Sequence, residues 1–134
     1  MASTRIGTLA APDRAAVFST AQRLGLDPYE FGALIHQESG FRPNVWGGAG
    51  GDYRGLIQFG PGARKEVGLP DKEMSIAEQL PYVEKYFQGR GYKPGMGIAK
   101  AYATVLGGNP NVSLNAKDSF GTSVASSLPR FQKG

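Results

Sequence analysis

A mainly helical single domain is what this sequence predicts, and three observations predict it. Apolar residues recur at three- and four-residue intervals in separate segments along the chain. Several of those segments open on helix-start chemistry, at Pro12-Asp13, Asp27-Pro28-Tyr29-Glu30 and Ser75-Ile76-Ala77-Glu78. No run alternates apolar and polar residues over the length of a strand, and there is no internal repeat.

Residues 1–11 read as a loose arm. Pro12 and Asp13 open the first helix, whose Val17, Ala21 and Leu24 follow i, i+4, i+7, and Gly25 stops it. Asp27 caps the second helix, Pro28 takes its first turn and Glu30 stands where a capping box requires it. Phe31, Leu34 and Ile35 carry that helix to Gly40. A glycine-rich segment follows from Phe41 to Gly62, centred on Gly47-Gly48-Ala49-Gly50-Gly51. A short helix is expected around Ala63 to Val67. Ser75 to Glu78 is a second capping box, opening a helix with Ile76, Leu80 and Val83 on one face. Pro81 lies deep for a helix start, which predicts a kink or a later beginning. Ile98 to Leu106 is the last helix, with Ile98, Tyr102 and Val105 on one face and Gly107-Gly108 as terminator. The tail from 109 to 134, rich in Ser, Asn and Gly, reads as irregular.

With 134 residues and 14.2 kDa the chain has the size of one domain that can bury a core unaided. An apolar fraction of 40% with 20 glycines fits a compact body carrying a long glycine-rich loop. The absence of cysteine removes disulfides, thiol chemistry and thiolate metal sites, and the single histidine, His36, argues against a histidine-based metal site. No metal or cofactor is expected. The net charge of +4 favours encounter with an anionic polymer of any kind. The basic residues are scattered, with Arg64-Lys65 the one adjacent pair, so no phosphate-tracking strip is read and nucleic acid is not an expected partner. The opening residues lack the apolar core of a secretory signal, and no apolar run approaches the roughly 20 residues of a membrane span.

Glu38 is the leading candidate for chemistry. It lies seven residues after Phe31, four after Leu34 and three after Ile35, so on a helix its carboxyl shares their core-facing stripe. Desolvation there raises a carboxyl pKa and favours the protonated acid, the form that breaking a glycosidic bond requires. The bland alternative is a surface or salt-bridged glutamate near a helix C-terminus, where the helix dipole also disfavours its charge. Gln58 is a lone amide among Leu56, Ile57 and Phe59, which reads either as a ligand-binding group or as a loop-stabilising one. The small residues at 47 to 51 are not a nucleotide loop, because no Gly-Lys-Ser or Gly-Lys-Thr follows.

Taken together, Glu38-Ser39-Gly40-Phe41, then Asn44, then Gly55-Leu56-Ile57-Gln58, then Pro61 and Ala63, resemble the soluble lytic transglycosylase domain of the lysozyme-like superfamily. In that family the matching glutamate ends a helix and a Gly-Leu-Met-Gln element forms a cleft wall; Ile57 stands here for the usual Met. A later Ala-Tyr-Asn-Ala-Gly element is matched in part by Ala101-Tyr102-Ala103-Thr104, with its glycines displaced to Gly107 and Gly108. Glu78 to Tyr86 looks like the corresponding stretch of phage-encoded members. The resemblance covers about residues 14 to 110.

The resemblance implies a lysozyme-like helical fold whose glycine-rich loop forms part of a glycan cleft. It implies cleavage of the β-1,4 bond between N-acetylmuramic acid and N-acetylglucosamine, with Glu38 as acid and then base and a 1,6-anhydro product. By analogy Tyr102 would hydrogen-bond Glu38 or the substrate, and Gln58 would hold sugars. Ser39 and Asn44 rank below these as substrate-binding residues, Asn44 rather as a shaper of the loop, and Phe41 rather as a packing residue. Asp52 and Tyr53 depart from the family pattern. Asp52 is therefore a possible second acid, which would make the protein a hydrolytic muramidase of the goose-type kind, inverting if the carboxyls stand about 6.5–9.5 Å apart. Glu78 is its rival in that role, although its capping box already explains it. A third expectation, of another class, is an inactive wall-binding or structural virion module. The implied partners are peptidoglycan strands and other virion proteins, and the implied setting is a phage virion or the host periplasm after injection.

Overall fold

The computed structural model describes residues 6–112, and over them the fold is mainly helical. Five α-helices occur in this stretch: α1 (Ala11–Leu24), α2 (Pro28–Ser39), α3 (Pro61–Val67), α4 (Ile76–Gly89) and α5 (Ile98–Gly107). Between α2 and α3 lies an antiparallel hairpin of two-residue strands, β1 (Trp46–Gly47) and β2 (Tyr53–Arg54), with Trp46 opposite Arg54 and Gly47 opposite Tyr53. Strands that short leave no periodicity to read, which is why the sequence pattern gives none. From residue 113 onward the expected irregular tail lies outside the described residues.

Local chemistry accounts for the helix ends. Gly25 adopts the left-handed conformation (φ 65°) and donates its N–H to the carbonyls of Ala21 and Gln22, closing α1. A Cβ at Gly25 would stand 2.4 Å from the Gly95 nitrogen, so glycine is also required by the close approach of the α4–α5 loop. Asp27 caps α2 by accepting from the amides of Tyr29 and Glu30, each at 3.0 Å. The capping box of α4 is complete: Ser75 accepts from the Glu78 amide and Glu78 accepts from the Ser75 amide. Helix α4 starts at Ile76 and continues through Pro81, contrary to the expectation of a later beginning. An interior proline costs about 3 kcal/mol. Here the ring lies on the exposed side, while Leu80 and Val83 anchor the inner face at 0% exposure.

Helix α1 packs against α4 and α2, α3 against α4, and α2 against α5. Their shared core is built from Val17, Phe31, Leu34, Ile35, Leu80, Phe87 and Tyr102, among others, all out of solvent. Polar ties reinforce this packing. Asp13 accepts from the Ala77 amide at 3.0 Å, Arg23 pairs with Glu84 at 2.9 Å, and the Tyr92 hydroxyl donates to the Leu24 carbonyl at 2.8 Å. Ile6, within the segment read as a loose arm, sits in a 3-10 turn (Ile6–Thr8) and is buried in the core. Ile6 and Leu9, which packs beside the same core, are too few to carry a periodic signal. Among the described residues no helix is long and apolar enough to cross a membrane.

Candidate active site

Helix α2 delivers Glu38 one residue before its last position, and the chain turns sharply just beyond. Gly40 is left-handed at φ 63° and returns its N–H to the His36 carbonyl, and Phe41 follows at φ 61°. A non-glycine residue in that region is uncommon, and its side chain is held there by burial at 6% exposure. Glu38 itself is half-buried, at the rim of the stripe formed by Phe31, Leu34 and Ile35 rather than within it.

The neighbour of Glu38 across the fold is Tyr102 on α5. Its ring is fully buried, and its hydroxyl donates to Glu38 Oε2 at 3.0 Å. The same hydroxyl accepts from the Gln37 side-chain amide. One phenol thus fixes two consecutive α2 side chains, donating to the carboxyl and accepting from the amide. Gln37 is a site residue that sequence reading missed. Its position beside Glu38 at the end of an apolar helix was the available signal.

The second half of the site is the turn from Arg54 to Phe59. These two residues exchange backbone hydrogen bonds at 2.9 and 2.8 Å, and Gln58 closes the turn onto the Gly55 carbonyl at 3.0 Å. Gly55 takes φ 89° and Gln58 φ 57°, so Gln58, like Phe41, holds a conformation that side chains seldom adopt. Leu56, Ile57 and Phe59 are buried and root the turn in the core. The Gln58 amide nitrogen donates to the Gly55 carbonyl at 3.1 Å and reaches the Val45 carbonyl at 3.5 Å. A Cβ at Gly47 would come within 2.8 Å of Gln58 Oε1, so a glycine is what admits this amide.

Gln79, at 0% exposure, ties both ends of the glycine-rich segment together. Its Oε1 accepts from the Leu56 amide at 2.7 Å and its Nε2 donates to the Pro43 carbonyl at 2.8 Å. Arg54 is also buried, donating to the carbonyls of Pro70 and Lys72 and to Asn44 Oδ1. Neither residue stood out in the sequence, because each works through contacts distant along the chain.

Several expected site residues have other tasks. Ser39 is buried, and its hydroxyl lies between the carbonyls of Ile35 (3.1 Å) and Leu56 (2.9 Å), joining α2 to the turn; it is withdrawn from direct substrate contact. Asn44 accepts from the Met74 amide at 2.8 Å and donates to the Met74 carbonyl at 2.9 Å, so it shapes the loop and its amide is occupied. Glu78 is fully exposed and its carboxylate accepts from the Ser75 amide at 2.8 Å, which holds its pKa below the ordinary 4.5. That carboxylate is engaged at its own helix start, the task its capping-box position predicts. Asp52 is exposed, next to the 3-10 turn Ala49–Gly51, and its backbone carbonyl accepts from Arg64 at 2.7 Å.

A cavity of about 310 Å³ adjoins the turn. Tyr53, Gln58, Phe59, Tyr86, Arg90 and Leu106 are among its lining residues; Glu38 is not. Leu106 lies four residues after Tyr102, one helical turn further along the same face of α5.

Residues 15–80, just under half of the chain, match the model of a family described as the transglycosylase SLT domain. The matched span contains Glu38, the hairpin, Gln58 and the start of α4, and stops short of Tyr102. No curated protein and no solved structure matches this chain. Over that span the likeness supports lytic transglycosylase activity in general terms and implies peptidoglycan as the substrate class.

Proposed function

We propose that this protein cleaves the glycan strands of peptidoglycan as a lytic transglycosylase, with Glu38 as its one acid and base. The observation that carries the reading is the half-buried Glu38 carboxyl held by the buried Tyr102 hydroxyl at 3.0 Å, within a segment that matches the SLT family.

In the proposed reaction the protonated Glu38 donates to the oxygen linking muramyl C1 to O4 of the next N-acetylglucosamine. The C1–O bond breaks and the leaving sugar departs with that proton as its 4-hydroxyl. Positive charge at C1 is stabilised by the substrate's own acetamido group, so the enzyme supplies no nucleophile. The Glu38 carboxylate then removes the proton of the muramyl 6-hydroxyl, and O6 closes on C1 as a 1,6-anhydro ring. Glu38 ends protonated as it began, and no water is consumed. Tyr102 and Gln37 set the direction in which the carboxyl presents its proton, since a misplacement of about 1 Å can cost about 100-fold in rate. Gln58 and the backbone of the turn would bind the sugars.

Digestion of purified peptidoglycan, with the products weighed, tests this reading. Anhydro-muropeptides, one water lighter than hydrolysed ones, are expected from the native protein. Glu38→Gln, which keeps shape but cannot donate the proton, should bind the wall without cutting it. Products with only reducing ends would instead identify a muramidase, and undiminished cutting by Glu38→Gln would remove Glu38 from the mechanism. Native protein that binds and never cuts would identify a wall-binding module. The reading extends to a phage virion that opens the wall locally, on the likeness of Glu78 to Tyr86 to phage-encoded members; detection of the chain in purified particles tests that setting.

A further inference from the structure

Helix α5 carries the phenol that holds Glu38, and two residues at the end of α4 grip its last turn. At its start α5 has no side-chain cap, since Gly97 stands there. At its end the contacts are specific. The Tyr86 hydroxyl donates to the Thr104 carbonyl at 3.0 Å, and Arg90 Nη1 donates to the Gly108 carbonyl at 3.3 Å. Tyr86 and Arg90 stand four residues apart, as do Thr104 and Gly108, so the two bonds match one helical turn against another.

The gripping pair is itself held in place. The Arg90 guanidinium lies 5.0 Å over the Tyr86 ring. Its Nε stands 3.0 Å from Glu66 Oε2 and its Nη2 2.9 Å from Glu66 Oε1, which ties it to α3 and turns Nη1 toward α5. A Cβ at Gly108 would come within 2.9 Å of Nη1, so a glycine is what admits the cation to the helix end. Positive charge there suits the carbonyls of a helix C-terminus. Burial pushes the Tyr86 phenol above its ordinary 10, which keeps its hydroxyl a donor. The same ring meets Phe59 edge-on at 6.0 Å, so the grip also refers α5 to the turn that carries Gln58.

A helix shifts as a rod. Tyr102 lies two residues before Thr104, about 3 Å along the axis at about 1.5 Å per residue, so a slide of the last turn passes to the phenol almost undiminished. The bond from Tyr102 to Glu38, at 3.0 Å, weakens steeply with misalignment.

We propose that Tyr86 and Arg90 are positioning residues for the cleavage reaction, fixing α5 along its axis and thereby setting the Tyr102 hydroxyl on the Glu38 carboxyl. The role rests on the reading of the protein as a glycan-cleaving enzyme, and both residues act through Tyr102.

The test measures KM and kcat on peptidoglycan glycan strands for Arg90→Met and Tyr86→Phe, each alone and each combined with Tyr102→Phe. Methionine keeps an apolar stem over the Tyr86 ring and removes the donor; phenylalanine keeps the buried ring and removes the hydroxyl. Each single variant should lower kcat about tenfold, short of the roughly 100-fold that a misplacement of about 1 Å costs. KM should stay within about twofold of native, the pattern of an interaction realised in the transition state. Combined with Tyr102→Phe, which already lacks the hydroxyl, neither substitution should lower kcat further. A lowered melting temperature with native kcat would mark the grip as merely structural and overturn the proposal. An equal loss of kcat with and without the Tyr102 hydroxyl would overturn it as well, as would a raised KM at native kcat. Absence of cleavage by the native protein would instead overturn the cleavage reading on which the role depends.

Discussion

Replacing Gln79 with methionine removes the two polar contacts that clasp the glycine-rich segment while leaving the volume of the side chain nearly unchanged. The loss is therefore one of hydrogen bonding, since a near-isosteric swap opens little cavity. The Leu56 amide, in a residue of 0% exposure, loses its acceptor at 2.7 Å. A buried donor left unpaired costs about 1–3 kcal/mol. The Pro43 carbonyl loses its donor at 2.8 Å in a half-buried setting, where water can partly replace it, for about 1 kcal/mol more. The sum is about 3 kcal/mol, which for a domain of this size lowers the melting temperature by roughly 10 °C. Urea denaturation followed by circular dichroism measures it, with the midpoint shifted and the slope unchanged. A loss below about 1 kcal/mol would show that the segment satisfies these groups without Gln79, and the clasp would then not be what sets Gly55–Phe59 beside α2.

Other outcomes follow from the same contacts. Tyr102→Phe keeps the buried ring and deletes the hydroxyl between Gln37 and Glu38; release of muropeptides should fall about 10- to 100-fold through misplacement of the carboxyl, whereas native rates would detach the phenol from the chemistry. Asp52→Asn should cut peptidoglycan at the native rate with native products, and loss of activity would restore Asp52 as a second acid. For Glu78 the pKa lies below its ordinary 4.5 in the folded state, chiefly through the Ser75 amide, so its contribution to stability is present above pH 4.5 and lost as pH falls through the lowered value. Glu78→Ala should thus melt lower than native at neutral pH, with the gap closing on acidification; a gap independent of pH would contradict a charge-dependent cap.

The helices were legible because their signals are local. Asp27, Pro28, Ser75 and Glu78 act within one turn of themselves, and Gly25, Gly40 and Gly108 end helices in the left-handed conformation that glycine permits. The fold class was legible for the same reason. Glu38 stood out by its spacing from Leu34 and Ile35, and its pairing with Tyr102 was expected from resemblance alone. What stayed hidden depends on contacts between distant segments. Gln79 reads as one more polar residue on a helix until the fold carries Pro43 and Leu56 to it. Ser39 looked available for substrate because the sequence does not show which carbonyls will surround it, whereas Asn44 shapes the loop as its position suggested. Arg54, in a loop, gave no sign that its guanidinium would be buried among carbonyls.

The contact between Glu38 and Tyr102 joins residues 64 positions apart, on helices separated by the hairpin, α3 and α4. A polypeptide still emerging from the ribosome, or clipped by a protease before α5, would contain the acid without its phenol. Competence to cut would then arrive late in synthesis, once α5 has docked, and would disappear on losing a segment that lies beyond the stretch matched to the family.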